Sequence, residues 1–146
     1  MRIVLTIVAS LCFFMSFGQE GNVKLKFTQL SDDLYVYTNY KLFSAVQFPS
    51  NSMYLVTDDG VVLFDTPWDE TQFQPLLDSI KKRHSKKVTM CIATHFHDDS
   101  AAGTGYYKSK GIKTYTSKYT SSLMKEDNRP EFTFENDTVF KVGGKT

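Results

Sequence analysis

The stretch Thr94-His95-Phe96-His97-Asp98-Asp99-Ser100 places two imidazoles and two carboxylates within five positions. His95 and His97 stand at i and i+2, and in an extended segment such side chains point to the same side. They can converge on one metal ion where the backbone leaves a strand. Zinc takes histidine nitrogen at about 2.0–2.1 Å and carboxylate oxygen at about 2.0–2.2 Å. Asp99, two positions further on, is therefore a third ligand candidate, for the same ion or for one beside it. The alternative is a polar cluster at a strand end. Of the chain's 3 histidines, however, two sit here.

Other elements have to hold this group in place. The apolar run from Val88 to Ala93 reads as a buried strand leading into it, and Ala101 to Lys110 as a helix leading out, stopped by Gly111. Cys91 lies in the apolar run, on the face of Ala93 and His95, and reads as a small buried hydrophobe. Upstream, Met53–Thr57 and Val61–Asp65 flank Asp58-Asp59-Gly60, a strong hairpin signal. The second of these strands ends in Asp65-Thr66-Pro67-Trp68, with a carboxylate at its tip whose ordinary use is a turn or a helix cap. Phe73, Leu76, Leu77 and Ile80 then give the stripe of an amphipathic helix, with Thr71 and Gln74 as a capping box. Lys81-Lys82-Arg83 complement its dipole, and His84 reads as a surface residue at its end.

The remaining segments complete the outline. Val23–Phe27 and Leu34–Thr38 alternate or carry β-formers and read as strands. Residues 39–52 contain Leu42, Phe43, Val46 and Phe48 without a clear period, so they read as an apolar loop, either packed on the core or covering a site. Ile112–Thr116, Phe132–Phe134 and Thr138–Val142 read as strands, and Ser117–Glu126 as a helix. Strands first, then helices alternating with strands, predict a layered α/β (α+β) fold with a mixed sheet.

Residues 1–18 have the makings of a secretory signal peptide. Arg2 is the positive start, Ile3–Phe17 the apolar region, and Ser16-Phe17-Gly18 a small-residue cleavage step. The apolar run falls short of the ~20 residues of a membrane span, so no stable membrane anchor is expected. Cleavage after Gly18 removes Arg2 and Cys12. This leaves sixteen Lys+Arg against sixteen Asp+Glu and one cysteine, Cys91. A near-neutral chain gives no reason to expect nucleic acid as a partner, and a lone cysteine cannot form an internal disulfide.

His95-Phe96-His97-Asp98-Asp99 resembles the His-x-His-x-Asp signature of the metallo-β-lactamase superfamily. The order of Val61–Trp68, helix, strand, motif and Ala101-Ala102-Gly103 is similar to that of the secreted class B β-lactamases of Gram-negative bacteria, from Leu30 to Gly144. The resemblance implies a four-layered αββα sandwich, with residues 19–146 covering the first half and the start of the second. It implies two zinc ions in the intact enzyme. His95 and His97 would be two ligands of a three-His site, and Asp99 one of an Asp-Cys-His site, where it would also orient the nucleophile. Asp65 would support the site from behind, and the loop of Leu42, Phe43 and Val46 would cover bound substrate. The expected activity is hydrolysis of the β-lactam amide by a zinc-bound hydroxide, in a periplasmic monomer. A different superfamily hydrolase, or an inactive truncated product, are the alternatives. Ser100 departs from the thioester-, lactone- and RNA-cleaving relatives, which carry a histidine ligand there, and so makes those reactions less expected. The remaining ligands would lie beyond Thr146, so residues 19–146 alone are expected to be inactive.

Overall fold

The computed structural model describes residues 25–146; the expected signal peptide lies outside them. Seven strands form one sheet in the order β1-β2-β3-β4-β5-β6-β7. These are β1 (Lys26–Gln29), β2 (Leu34–Phe43), β3 (Val46–Thr57), β4 (Gly60–Phe64), β5 (Val88–Ile92), β6 (Lys113–Ser117) and β7 (Phe132–Phe134). The first three pairings are antiparallel and the last three parallel. The expected mixed sheet is thus present, with the change of direction at β4. Helices α1 (Phe73–His84), α2 (Asp98–Ala101), α3 (Thr104–Ser109) and α4 (Lys118–Leu123) fall in the crossover connections between the parallel strands.

The alternation of β4 explains the layering. Val61 and Leu63 face a core that also holds Tyr37, Tyr54 and Cys91 from the sheet, Phe73, Leu76 and Ile80 from α1, and Tyr107 from α3. Val62 and Phe64 face the other way. With Leu55 and Ile92 they line an apolar cavity of about 360 Å³ under Thr138, Val139, Phe140 and Val142. One helical layer and one sheet layer of the expected four are therefore formed by the described residues.

Several local expectations are corrected. Residues 39–52 are not a loop: β2 and β3 continue into a long hairpin, in register from Leu34↔Leu55 to Phe43↔Val46. Its turn is Ser44-Ala45, both at positive φ (46° and 67°), the sense that matches strand twist. The period is hidden because the tip projects past the core, leaving Leu42, Phe43, Val46 and Phe48 all exposed. Pro49 is tolerated because β4 pairs β3 only from Met53 onward, so nothing on that side needs its missing N–H. The Thr71–Gln74 capping box does not form. Asp69 takes the role, its Oδ1 accepting from Thr71 N at 3.0 Å and Thr71 Oγ1 at 2.7 Å. This caps a 3₁₀ turn over Glu70–Gln72 that runs into α1. Pro75 then sits in the first turn of α1, where its N–H has no acceptor to lose.

The helix expected over Ala101–Lys110 starts earlier, at Asp98, and is split at Ala102-Gly103. A Cβ on Gly103 would lie 3.0–3.1 Å from Phe73 and Thr66, so this glycine lets the chain pass close against α1. The helix expected over Ser117–Glu126 ends at Leu123 and resumes only as a 3₁₀ turn at Glu126–Asn128. Thr138–Val142 makes no ladder. It crosses the second sheet face, with Phe140 against Tyr115 and Phe134 (ring centroids 5.1 and 6.0 Å). His84 is not a free surface residue. Its Nε2 lies 3.0 Å from the Tyr54 hydroxyl, and its ring packs edge-on to Tyr35 at 4.8 Å.

Candidate metal centre

The parallel strands β4 and β5 end side by side, and both candidate stretches leave from those ends. After β5 the chain passes Ala93 and Thr94 and turns into α2, with His97 as its extended N-cap (φ −68°, ψ 152°). The turn is tied down by backbone bonds. Ser100 N and Ala101 N donate to His97 O at 3.0 and 2.9 Å, and Thr66 N donates to Ser100 O at 2.9 Å. Gly103 N closes the frame by donating to Thr66 Oγ1 at 2.9 Å. The two chain segments that leave the sheet therefore brace each other.

On this frame His95, His97 and Asp99 come together. One ligand atom from each lies within 4.8 Å of the others. His95 Nε2 stands 3.5 Å from Asp99 Oδ1, and the His95 and His97 rings meet edge-to-face at 5.1 Å. Ligands on a tetrahedral zinc are about 3.3–3.5 Å apart, from bond lengths near 2.1 Å. The His95–Asp99 pair already has that spacing. Two imidazoles and a carboxylate are a donor set that suits zinc. The residues present suit zinc, whether they share one ion or divide between two adjacent ones.

Asp65 reaches the same turn. It follows β4 in a left-handed conformation (φ 68°), which aims its carboxylate at β5's exit. Asp65 Oδ1 accepts from Thr94 N at 2.7 Å and from Thr94 Oγ1 at 2.8 Å, with Oδ2 3.0 Å from that hydroxyl. Burial raises the carboxyl above its ordinary value, and the bonds from Thr94 hold it back. Thr94 Oγ1 is also 3.3 Å from His95 Nδ1. Since its one proton goes to Asp65, its lone pairs are left to accept from Nδ1–H. That tautomer leaves Nε2 bare, on the side of Asp99.

An open cleft of about 680 Å³ lies over the group, lined by Phe43, Trp68, Phe96, His97, Asp98, Asp99, Leu123 and Lys125. Phe43 packs on Phe48 at 5.7 Å and on Trp68 at 5.2 Å. The hairpin tip thus borders the cleft through Phe43, while Leu42 and Val46 stay exposed beside it. Asp98 is turned to Lys125 instead, whose Nζ is 3.0 and 2.9 Å from its two oxygens. Ser100 is buried, outside the cleft lining.

Sequence reasoning missed Thr94, Trp68, Phe96 and Lys125. Trp68 carried a signal, as the chain's single tryptophan three residues past Asp65. Lys125 carried none, since only the packing of the α4 connection brings it to Asp98. Cys91 is buried as expected, and burial pushes its thiol far above the ordinary range, which makes it inert as a ligand or nucleophile.

A family model described as the metallo-beta-lactamase superfamily matches residues 45–140. A type 2 metallo-beta-lactamase of Elizabethkingia meningoseptica is 47% identical over 145 residues, covering 98% of this chain and 58% of the relative. Metallo-beta-lactamase IND-1 of Chryseobacterium indologenes is 40% identical over 118 residues, 80% of this chain and 49% of the relative. The crystal structure of metallo-beta-lactamase IND-7 superposes with a TM-score of 0.78 at 37% identity, covering 84% of this chain and 57% of that one. A metallo-beta-lactamase from Pontibacter korlensis does so with 0.75 at 33% identity, covering 83% of this chain and 57% of that one. The chain therefore spans about half the length of these relatives.

Proposed function

This chain belongs to the metallo-beta-lactamase superfamily, and we propose from that premise that the full-length protein is a zinc-dependent β-lactamase. The observation that carries the reading is the convergence of His95, His97 and Asp99 beside a cleft walled by Phe43, Trp68 and Phe96. The identity to named β-lactamases over nearly the whole chain favours it over other superfamily hydrolases, as does Ser100 in place of a further histidine.

His95 and His97 are assigned to one zinc and Asp99 to a second, with the other ligands supplied by sequence outside this chain. When bound, zinc supplies Lewis acidity and brings the pKa of a coordinated water from 15.7 to about 7. The chain's own residues set that chemistry up. Asp65 and Thr94 fix the His95 ring and its tautomer. Asp99, held in the first turn of α2, presents its carboxylate to orient the attacking water. Asp98 is kept out of the coordination sphere by Lys125. The aromatic hairpin tip and Trp68 cover apolar substituents of the substrate and exclude bulk water from the β-lactam amide.

The assignment extends to the rest of the chain. Residues 1–18 are proposed as a cleaved signal peptide, with residues 19–146 part of the metallo-β-lactamase domain of a periplasmic monomer. N-terminal sequencing of exported protein should begin at Gln19. Among the described residues no helix is long and apolar enough to cross a membrane.

The test is absorbance loss of a carbapenem or cephalosporin with full-length protein and zinc, with and without a chelator. Chelator-sensitive turnover is expected, and chelator-insensitive turnover overturns the metal assignment. Ser100→Ala should retain both ions, since Ser100 is not assigned as a ligand.

A further inference from the structure

We infer that Tyr37 is a positioning residue for the metal centre, acting through the backbone of Asp65; the inference rests on the metal reading above. Tyr37 lies in β2, fully buried, and its hydroxyl donates to the Asp65 carbonyl at 3.0 Å. The Cys91 thiol approaches the same oxygen at 3.8 Å. On the other side of the residue, Asp65 N donates to Ile92 O at 2.9 Å. Both polar groups of the Asp65 main chain are therefore held, one by β5 and one by Tyr37.

This matters because Asp65 is a non-glycine residue in the left-handed region (φ 68°), a conformation that costs an L-residue about 1–2 kcal/mol. A carbonyl just past a strand end also has no ladder partner, and a buried one without a donor is costly. The Tyr37 hydroxyl satisfies that oxygen in this conformation. Asp65's side chain then leaves the backbone in the direction that meets Thr94 N and Oγ1, and Thr94 Oγ1 meets His95 Nδ1. The chain of contacts runs from the middle of β2 to a metal ligand. Phenylalanine would fill the same core volume, so the hydroxyl alone is the part that acts on the site.

A matched control exists in the same core. Tyr54 is equally buried, its ring 6.5 Å from that of Tyr37, but its hydroxyl goes to His84. Full-length wild type, Tyr37→Phe and Tyr54→Phe are compared for zinc affinity by competition with a chromogenic chelator, for the His95 Nδ1–H resonance by NMR, and for Tm of the metal-free protein. Both variants are expected to lose Tm. Only Tyr37→Phe should weaken zinc, by about tenfold, the lower end of the range for contacts behind the ligands, and shift or broaden the His95 proton. Equal zinc affinity in the two variants overturns the inference while leaving the metal reading intact. Absence of zinc binding by the wild type overturns the metal reading, and this inference with it. If Tyr37→Phe does not fold, 3,5-difluorotyrosine placed at position 37 nearly keeps the ring's volume and changes the strength of the hydroxyl as a donor to the Asp65 carbonyl. A change in zinc affinity of about twofold or more, scaled down from the same range, supports the inference, and an unchanged value overturns it.

Discussion

His84 precedes β5 in the chain and His95 follows it, and their surroundings differ in what the ring nitrogens are left to do. His84, the last residue of α1, is packed against Tyr35 and Tyr54, and its Nε2 meets the Tyr54 hydroxyl. That nitrogen is committed inside the protein. His95 projects from a braced turn with 43% of its side chain exposed. Its Nδ1 is held by Thr94, and its Nε2 faces Asp99 and the second imidazole. Availability as a ligand therefore follows from which nitrogen the fold consumes, and from whether a second donor stands within one ion's reach. Residue type alone does not separate the two.

The contrast can be broken most directly by removing each ring from the full-length protein. His95→Ala should lower zinc affinity and β-lactam turnover by more than about 100-fold, since loss of a ligand exceeds the loss of an outer contact. His84→Ala should leave zinc affinity unchanged. Comparable losses in a chelator competition assay would remove the distinction.

Asp65→Asn acts from behind the proposed ligand His95, through Thr94. Asn at 65 still offers one acceptor oxygen but loses the charge and the second acceptor that hold Thr94. Metal affinity should fall by about 10–100-fold, measured by the same competition, and His95 should lose its single tautomer by NMR.

At the other histidine the effect is on stability. His84→Ala leaves the Tyr54 hydroxyl, pushed up to about 12 by burial and so neutral at working pH, without its partner. A loss of about 1–2 kcal/mol is expected from denaturant unfolding of the zinc-free protein.

The smallest effect is its pH dependence. Burial, with Arg83 beside it, lowers the His84 pKa below the ordinary 6.5. The unfolded chain then binds the proton more readily than the folded one. The packing's contribution is present in full above pH 6.5 and is lost as pH falls through the lower folded value. The stability difference between wild type and His84→Gln should shrink across that window. A difference that is flat with pH would show that the ring is solvated in solution.

Much of this arrangement was legible in the chain itself. The i, i+2 histidines and Asp99 at the end of an apolar strand marked the cluster that the fold brings together, because strand geometry puts such residues on one side. The Asp-Gly hairpin, the stripe Phe73, Leu76, Leu77, Ile80 and the alternation of strands and helices gave the mixed sheet, since each depends on local period and turn chemistry. The hairpin tip was misread because neither face of residues 42–48 is buried, so burial imposed no period on them. His84 was misread because helix-end basic runs are usually solvated, and the strand residues Tyr35 and Tyr54 that cover it are distant in sequence. Only the tertiary structure decided that Asp65 reaches Thr94, that Tyr37 holds Asp65 from 28 residues away, and that Lys125 draws Asp98 aside. Those contacts depend on the parallel alignment of β4 with β5 and on a left-handed residue at a strand end. Neither leaves a mark in local sequence, because sheet register is fixed by packing across the whole face.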